Sequence, residues 1–243
     1  MSYAVAMVRQ NRHGDPSEES RMGADCSYPE WRQAWPELIV QTRTDVAVDL
    51  LQRYYAVDGE TPRFTGSRFE SMASLSDDPN ALGPADFVAV SMLSVNVPAA
   101  AAIRLLGPDA AGVSELLKQI PSDLDIIDAD PQLFSGVSPL GRLWDLLRKT
   151  RDGLGPTTAS KLLAAKRPRL VPIWDSFVEQ ATGLGPLGSW WKFQYVLNDD
   201  QRYVWKWLGE LRRLASNVPE SVSELRILDV LLWMSVEGEP NPK

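Results

Sequence analysis

Apolar residues along this chain recur mainly three and four positions apart, the spacing of one face of an α-helix. Ala47, Leu50, Leu51 and Tyr54 share such a face, as do Val113, Leu116, Leu117 and Ile120. So do Leu140, Leu143, Trp144 and Leu147, then Val204, Trp207, Leu208 and Leu211, and finally Ile227, Val230, Leu231 and Met234. The first pattern predicts one long helix from about Pro36 to near Asp58-Gly59, and the last predicts a helix from about Ser221 to Val236. From Asp86 to Val95 the chain is almost uninterruptedly apolar, which reads as a buried helix, and an alanine-rich helix follows Pro98 as far as Leu106. Trp190, Trp191, Phe193 and Tyr195 open a short aromatic helix ahead of the one bearing Trp207. No segment alternates apolar and polar residues between turn signals as a strand would. The fold class expected is therefore all-α, with about eight to eleven helices.

Turn chemistry and composition divide the chain. Residues 1–35 mix Gly, Ser, Pro, Glu, Arg and Asn with few periodic apolar positions and read as a poorly ordered leader whose end is anchored by Trp31 and Trp35. Residues 36–237 form a single helical domain, and 238–243 a loose tail. With 44% hydrophobic residues in 243, the domain can bury a substantial core. A single cysteine (Cys26) and a single histidine (His13) exclude an internal disulfide, a cysteine-ligated cluster and histidine-based triads or metal centres. Acid–base work would fall to carboxylates, lysine or tyrosine. No apolar run reaches the ~18 residues that span a bilayer, so a cytoplasmic location without membrane contact is expected.

The stretch Gly153–Val178 carries the chemistry. Gly153 and Gly155 permit a sharp turn, Pro156 suits the first turn of a helix, and Ala159, Leu162 and Leu163 give that helix an apolar face to set against Leu140, Leu143, Trp144 and Leu147. The product is a helical hairpin over about 139–166, followed by a second helix start over 172–182. At the hairpin the amides of Gly155, Thr157 and Thr158 would point outward at the positive end of a helix dipole, a ready site for a phosphate. Overall the chain carries −7, which counts against a general nucleic-acid coat protein, but 142–169 holds eight basic residues against two acidic ones.

This arrangement resembles the helix-hairpin-helix motif, and with the downstream Pro172-Ile-Trp-Asp175-Ser-Phe-Val178 it resembles the helix-hairpin-helix DNA glycosylase superfamily, which carries a catalytic aspartate in a Pro-x-Asp-Thr-x-hydrophobic segment at this distance. It is also similar to an uncharacterised bacterial family with a hairpin followed by a Pro-x-Tyr-Asp-like segment. The resemblance covers about Pro139 to Ala181, under a fifth of the chain. It implies that Gly153, Gly155, Thr157, Thr158 and Lys161 hold a DNA phosphate, that Arg151 and Lys166 assist, and that Asp175 faces the sugar of a flipped nucleotide and stabilises positive charge as the base departs. Thr157 stands where strand-cleaving members carry a lysine, so no lyase activity is expected; Phe177 and Gln180 replace a histidine and an arginine found in several members. No cofactor is implied beyond a monovalent cation at the turn.

Two functions stay open: a monofunctional DNA base-excision enzyme using Asp175, and a non-catalytic module that grips DNA or a protein partner. For Asp175 itself, the local alternative is a charge beside a helix start capped by a Ser176-x-x-Glu179 box. Elsewhere, Arg63, Arg68 and Phe69 interleave charge and aromatic surface in an irregular segment, suited either to a base and phosphate or to anchoring a loop. The carboxylates of Asp123, Asp125, Asp128 and Asp130 lack the pattern of a calcium loop and read as a solvated connector, with no metal site. Gly183–Gly188 reads as a loop. Asp229 interrupts a very apolar helix and is open to three readings: exposed, ion-paired (with Arg226 or another arginine), or a second functional carboxylate.

Overall fold

The computed structural model describes residues 28, 30–185 and 189–237. Most of the expected leader, the tail at 238–243 and part of the Gly183–Gly188 loop lie outside the described residues. Among those described are twelve α-helices and one two-stranded hairpin. In chain order they are α1 (Trp31–Ala34), α2 (Glu37–Val40), α3 (Thr44–Tyr54), β1 (Val57–Asp58), β2 (Thr61–Pro62), α4 (Phe69–Ala73), α5 (Pro84–Met92), α6 (Ala99–Leu106), α7 (Ala110–Leu117), α8 (Pro139–Arg148), α9 (Pro156–Lys166), α10 (Ser176–Thr182), α11 (Trp190–Leu214) and α12 (Glu224–Glu237). The all-α class is thus what the periodicity predicts. The small antiparallel pairing of Val57 with Pro62 and Asp58 with Thr61 is too short to leave an alternating pattern.

Four boundaries differ from the sequence reading. Ordered structure begins by Trp31, which is buried with Trp35, their rings meeting edge to face at 5.8 Å; two indoles in the core fix residues that composition assigns to the leader. The single helix expected from Pro36 is two helices, α2 and α3, because Thr42 takes φ 45° between them. The helix expected over Asp86–Val95 ends at Met92, with Ser94 at φ 60°, and it is buried along one side only, since Val88 faces solvent. In α11, the backbone leaves the helix at Asp199 and passes through a left-handed turn at Asp200, Gln201 and Arg202, so the two separate helices expected there meet end to end.

Helix α12 is the central element. Leu225, Ile227, Leu228, Val230, Leu231 and Leu232 are all fully buried, as are the charged Arg226 and Asp229 among them, so it is buried on every side, and it packs against α3, α10 and α11. Helix α9 lies against α4, α5 and α8, also buried nearly all round: Thr158 to Ala164 are all buried, including Ser160 and Lys161. A helix without a polar face must find partners for its polar side chains inside the protein. Those partners define the site.

The acidic segment before α8 is more ordered than a solvated connector. Ile126 and Ile127 are buried in a 3-10 turn, Asp125 pairs with Arg169, Asp128 pairs with Arg202 at 2.8 Å, and Asp130 caps the next turn through the Gln132 amide at 2.9 Å.

Candidate functional site

Helices α8 and α9 follow one another across the Gly153–Gly155 turn and pack together. Gly153 takes φ +87°, a conformation that side-chain-bearing residues rarely adopt, and its α-carbon backs onto Pro98. Gly155, at φ −87°, ψ 175°, is the N-cap of α9, and nothing lies within 4 Å of where its side chain would be. The turn is tied down by Arg104, whose Nε donates to Asp152 Oδ2 at 2.7 Å while Nη1 and Nη2 reach the Leu146 and Leu147 carbonyls at 3.2 and 2.9 Å. The Asp152 carboxyl is held below its ordinary range by that guanidinium, against a desolvation penalty acting the other way. Among the described residues the amides of Gly155, Thr157 and Thr158 donate to nothing. They remain the unpaired groups that a helix start leaves.

The segment after α9 brings Asp175 back to the hairpin helix. Ile173 N–H donates to Asp229 Oδ2 at 3.0 Å, and Trp174 N–H donates to Ser160 Oγ at 3.2 Å, while the Trp174 indole donates to the Leu184 carbonyl at 2.9 Å. Held in this way, Asp175 is the N-cap of α10: its Oδ1 accepts from the Phe177 and Val178 amides, both at 3.1 Å. The Ser176-x-x-Glu179 box does not form, because the helix starts one residue earlier than such a box needs and Ser176 is its first residue. Oδ2 of Asp175 faces Lys161 Nζ at 3.4 Å, and Nζ also donates to the Leu93 carbonyl at 3.0 Å. The Lys161 side chain is 5% exposed and that of Asp175 14%. Burial pulls the Lys161 ammonium below the usual lysine range, and the Asp175 carboxylate pulls the other way.

A second layer of charge lies behind this pair. Asp229 is buried, and burial pushes its carboxyl well above the usual range despite the opposing effects of Arg226 and the Ile173 amide. Among the described residues its Oδ1 has no hydrogen-bond partner. Of the three readings of Asp229, exposure is overturned, and Arg226 is not its ion-pair partner: Arg226 Nε donates to Glu70 Oε1 at 2.7 Å, and Nη2 to Tyr54 Oη at 2.9 Å. A similar arrangement holds Lys166, whose Nζ lies 2.9 Å from Asp86 Oδ2 and 2.7 Å from Ser76 Oγ. Asp86 in turn accepts from the Gly83 amide at 2.8 Å, tying the start of α5 to the end of α9.

The eight basic residues of 142–169 are accordingly not one surface field. Lys161, Lys166 and Arg167 are buried, Lys149 pairs with Asp109 and Arg169 with Asp125. Arg142 and Arg151 are exposed, and the partly exposed Arg148 lies over the Trp144 ring at 4.9 Å. Lys161 and Lys166 therefore point into the protein, away from any phosphate at the turn. Arg63 and Arg68 are exposed, whereas Phe69 is 1% exposed and offers no face to a base. Gly153, Gly155, Thr157 and Arg151 stay together at the turn, with the Thr158 side chain buried. Among the described residues no group of three or more His, Cys, Asp or Glu side chains could hold a metal, and no helix is long and apolar enough to cross a membrane.

Comparison of the chain with known families gives a match to one family model over residues 47–236, which takes in every helix from most of α3 to α12. The chain belongs to DUF6308, a family of unknown function. No curated protein and no solved structure matches it. For this DUF6308 chain the site must be read from its own residues. Sequence reasoning missed Glu70, Tyr54 and Asp86, which their own helices do not single out, and the inward course of Lys161 and Lys166, for which there was one signal: the polar residues of α9 stand between apolar ones with no polar face to carry them.

Proposed function

We propose that this protein binds DNA through its hairpin turn, as a helix-hairpin-helix module in which Asp175 is a structural cap. The observation that carries the reading is the open turn at Gly155, where three amides without partners sit at the positive end of an eleven-residue helix. Arg151 in the turn and the partly exposed Arg148 just before it supply positive charge. With two or three cations available, the contact is sequence-independent and weak, with a logarithmic salt slope of about −2 and a Kd in the ~10⁻⁴–10⁻⁶ M range of non-specific binding.

The base-excision reading asks more of Asp175. One oxygen caps α10 and the other faces Lys161, so a sugar could be reached only after that pair opens. The gripping function needs no such rearrangement.

Gly155→Asp tests the proposal. Its backbone is extended and has room for a side chain, and aspartate is among the best N-cap residues, so the fold is kept or stabilised while a carboxylate takes the place a phosphate would occupy. Binding of a labelled duplex, followed by anisotropy, is expected to fall at least about tenfold with no loss of thermal stability. Unchanged binding would move the contact away from the turn.

A further inference from the structure

Helix α4 turns one side to solvent. Arg68, Ser71, Ser74 and Leu75 are exposed along one helical face, while Phe69 on the other side is buried. The Ser71 and Ser74 hydroxyls bend back onto their own helix, donating to the Arg68 and Ser71 carbonyls, both at 2.9 Å. Their donors are satisfied, so the surface between Arg68 and Leu75 is low and can be covered by another polypeptide without stranding a hydroxyl proton. Leu75, 64% exposed, stands between Ser74 and Ser76. Those two serines line a cavity of about 260 Å³ whose other walls include Ala73, Pro79, Ala164 and Pro168. A single exposed leucine is ordinary. Beside an apolar cavity it is informative, because a cavity of only ~150 Å³ already takes a benzene ring, and one of this size has room for a leucine side chain. Leu75 itself faces solvent and does not line the cavity.

The charges on this face match in the same way. Arg68 at its start and Asp77 just past its end are both exposed, and neither side chain has a partner among the described residues. Turned about a two-fold axis that crosses α4, the face lays its positive end on the negative end of a second copy and its apolar knob on that copy's cavity. A patch that complements itself is what an isologous contact between identical chains requires.

We propose that two copies of this chain pair through α4 as a symmetric dimer, with Leu75 of each seated in the cavity of the other and Arg68 of each facing Asp77 of the other. A contact confined to this face falls short of the ~1,200 Å² of a standard interface, so the dimer is weak and forms in concentrated solution. The eleven residues of α9 separate the hairpin turn from the cavity by about 16 Å. Both turns therefore remain free in the dimer, and the pairing does not rest on what they bind.

The experiment follows the full chain by equilibrium sedimentation from about 10 µM to about 1 mM, with amide NMR shifts recorded over the same range. A mass rising from one chain toward two is expected, with concentration-dependent shifts at Ser74, Ala165 and Ser221 around the cavity. Leu75→Asp should leave only monomer, and its melting temperature should match that of the wild-type monomer, because the side chain is exposed in the single chain. Arg68→Glu and Asp77→Arg should each weaken pairing about tenfold, since each reversal sets like charges together twice across the axis, and the double variant should recover it. Monomer at every concentration, a dimer unaltered by Leu75→Asp, a dimer without shifts around the cavity, or a double variant no better than the single ones would overturn the proposal.

Discussion

The Lys161 ammonium stands 3.4 Å from Asp175 Oδ2, and Asp175 Oδ1 receives the amides of Phe177 and Val178, the second and third residues of α10. One carboxylate thus serves a buried cation on the hairpin helix and the start of the helix after it, joining α9 to α10 through side chains fourteen residues apart. Neither oxygen is idle, which is why a structural role accounts for Asp175 without any reaction.

Two substitutions separate those roles. Asp175→Asn retains an oxygen to cap α10 and loses only the charge opposite Lys161, whereas Asp175→Ala loses the cap and leaves the ammonium unpaired. The alanine variant should cost about 2–4 kcal/mol and the asparagine variant about half as much, measured by urea denaturation. DNA affinity should be similar in Asp175→Asn and wild type, and no base should be released from damaged duplexes by either. Base release by the wild type that vanishes in Asp175→Asn would restore the catalytic reading.

The pH dependence of stability should carry the mark of Asp229. Its folded carboxyl titrates well above its ordinary range because burial outweighs the attraction of Arg226; Asp175, Glu70, Tyr54 and Tyr55 face the same cluster. A group raised in this way keeps a proton in the folded state that the unfolded chain gives up from about pH 4 upward, so its contribution falls as pH rises toward and through the folded value. Asp229→Asn mimics the protonated form. It should leave stability equal or higher at neutral pH and flatten the decline of melting temperature on going alkaline; a steeper decline would mean that the carboxylate is the folded form.

Arg167 is expected to be among the most sensitive positions in the chain. It is 1% exposed, and its guanidinium donates to the carbonyls of Ile120, Pro79, Lys166 and Leu117 and to Asn80 Oδ1. Burial lowers its pKa to about 10, still charged at neutral pH. Truncation to alanine removes the partner of five acceptors and should cost more than about 3 kcal/mol. Arg167→Lys should recover little of this, because an ammonium has three donors where the planar fork reaches five acceptors. Guanidinium denaturation of the two variants checks both statements.

Arg167 also shows where sequence reasoning stops. Helical register is a short-range property, so Leu140, Leu143, Trp144 and Leu147 disclose α8 and its buried face directly. The hairpin turn is equally local, and Gly153, Gly155 and Pro156 announce it. By contrast, apart from the adjacent Lys166 carbonyl, the carbonyls that satisfy Arg167 are 47 to 88 residues away in sequence, and Lys166 meets Ser76 across 90. Basic residues on a hairpin look like a surface field until such distant partners are known. The turn was therefore legible, and the destination of its lysines was not.

The left-handed turn in α11 offers a stability test independent of any ligand. Asp200, Gln201 and Arg202 have φ of 46°, 55° and 64°, each carrying the clash between Cβ and backbone that costs roughly 1–2 kcal/mol. The turn persists because its neighbours hold it: Asp199 accepts from the Trp31 indole at 2.7 Å and the Arg32 guanidinium at 2.6 Å, and Arg202 pairs with Asp128. Asp200 and Gln201 are both exposed, and Gln201 makes no side-chain bond among the described residues. Glycine there relieves the clash and loses some of the gain to the greater freedom of the unfolded chain, leaving a net stabilisation of about 0.5–1 kcal/mol. Alanine keeps the clash and should gain nothing. A paired measurement of Gln201→Gly and Gln201→Ala by urea denaturation decides it: a glycine variant no more stable than the alanine one would mean that α11 runs straight through residue 201.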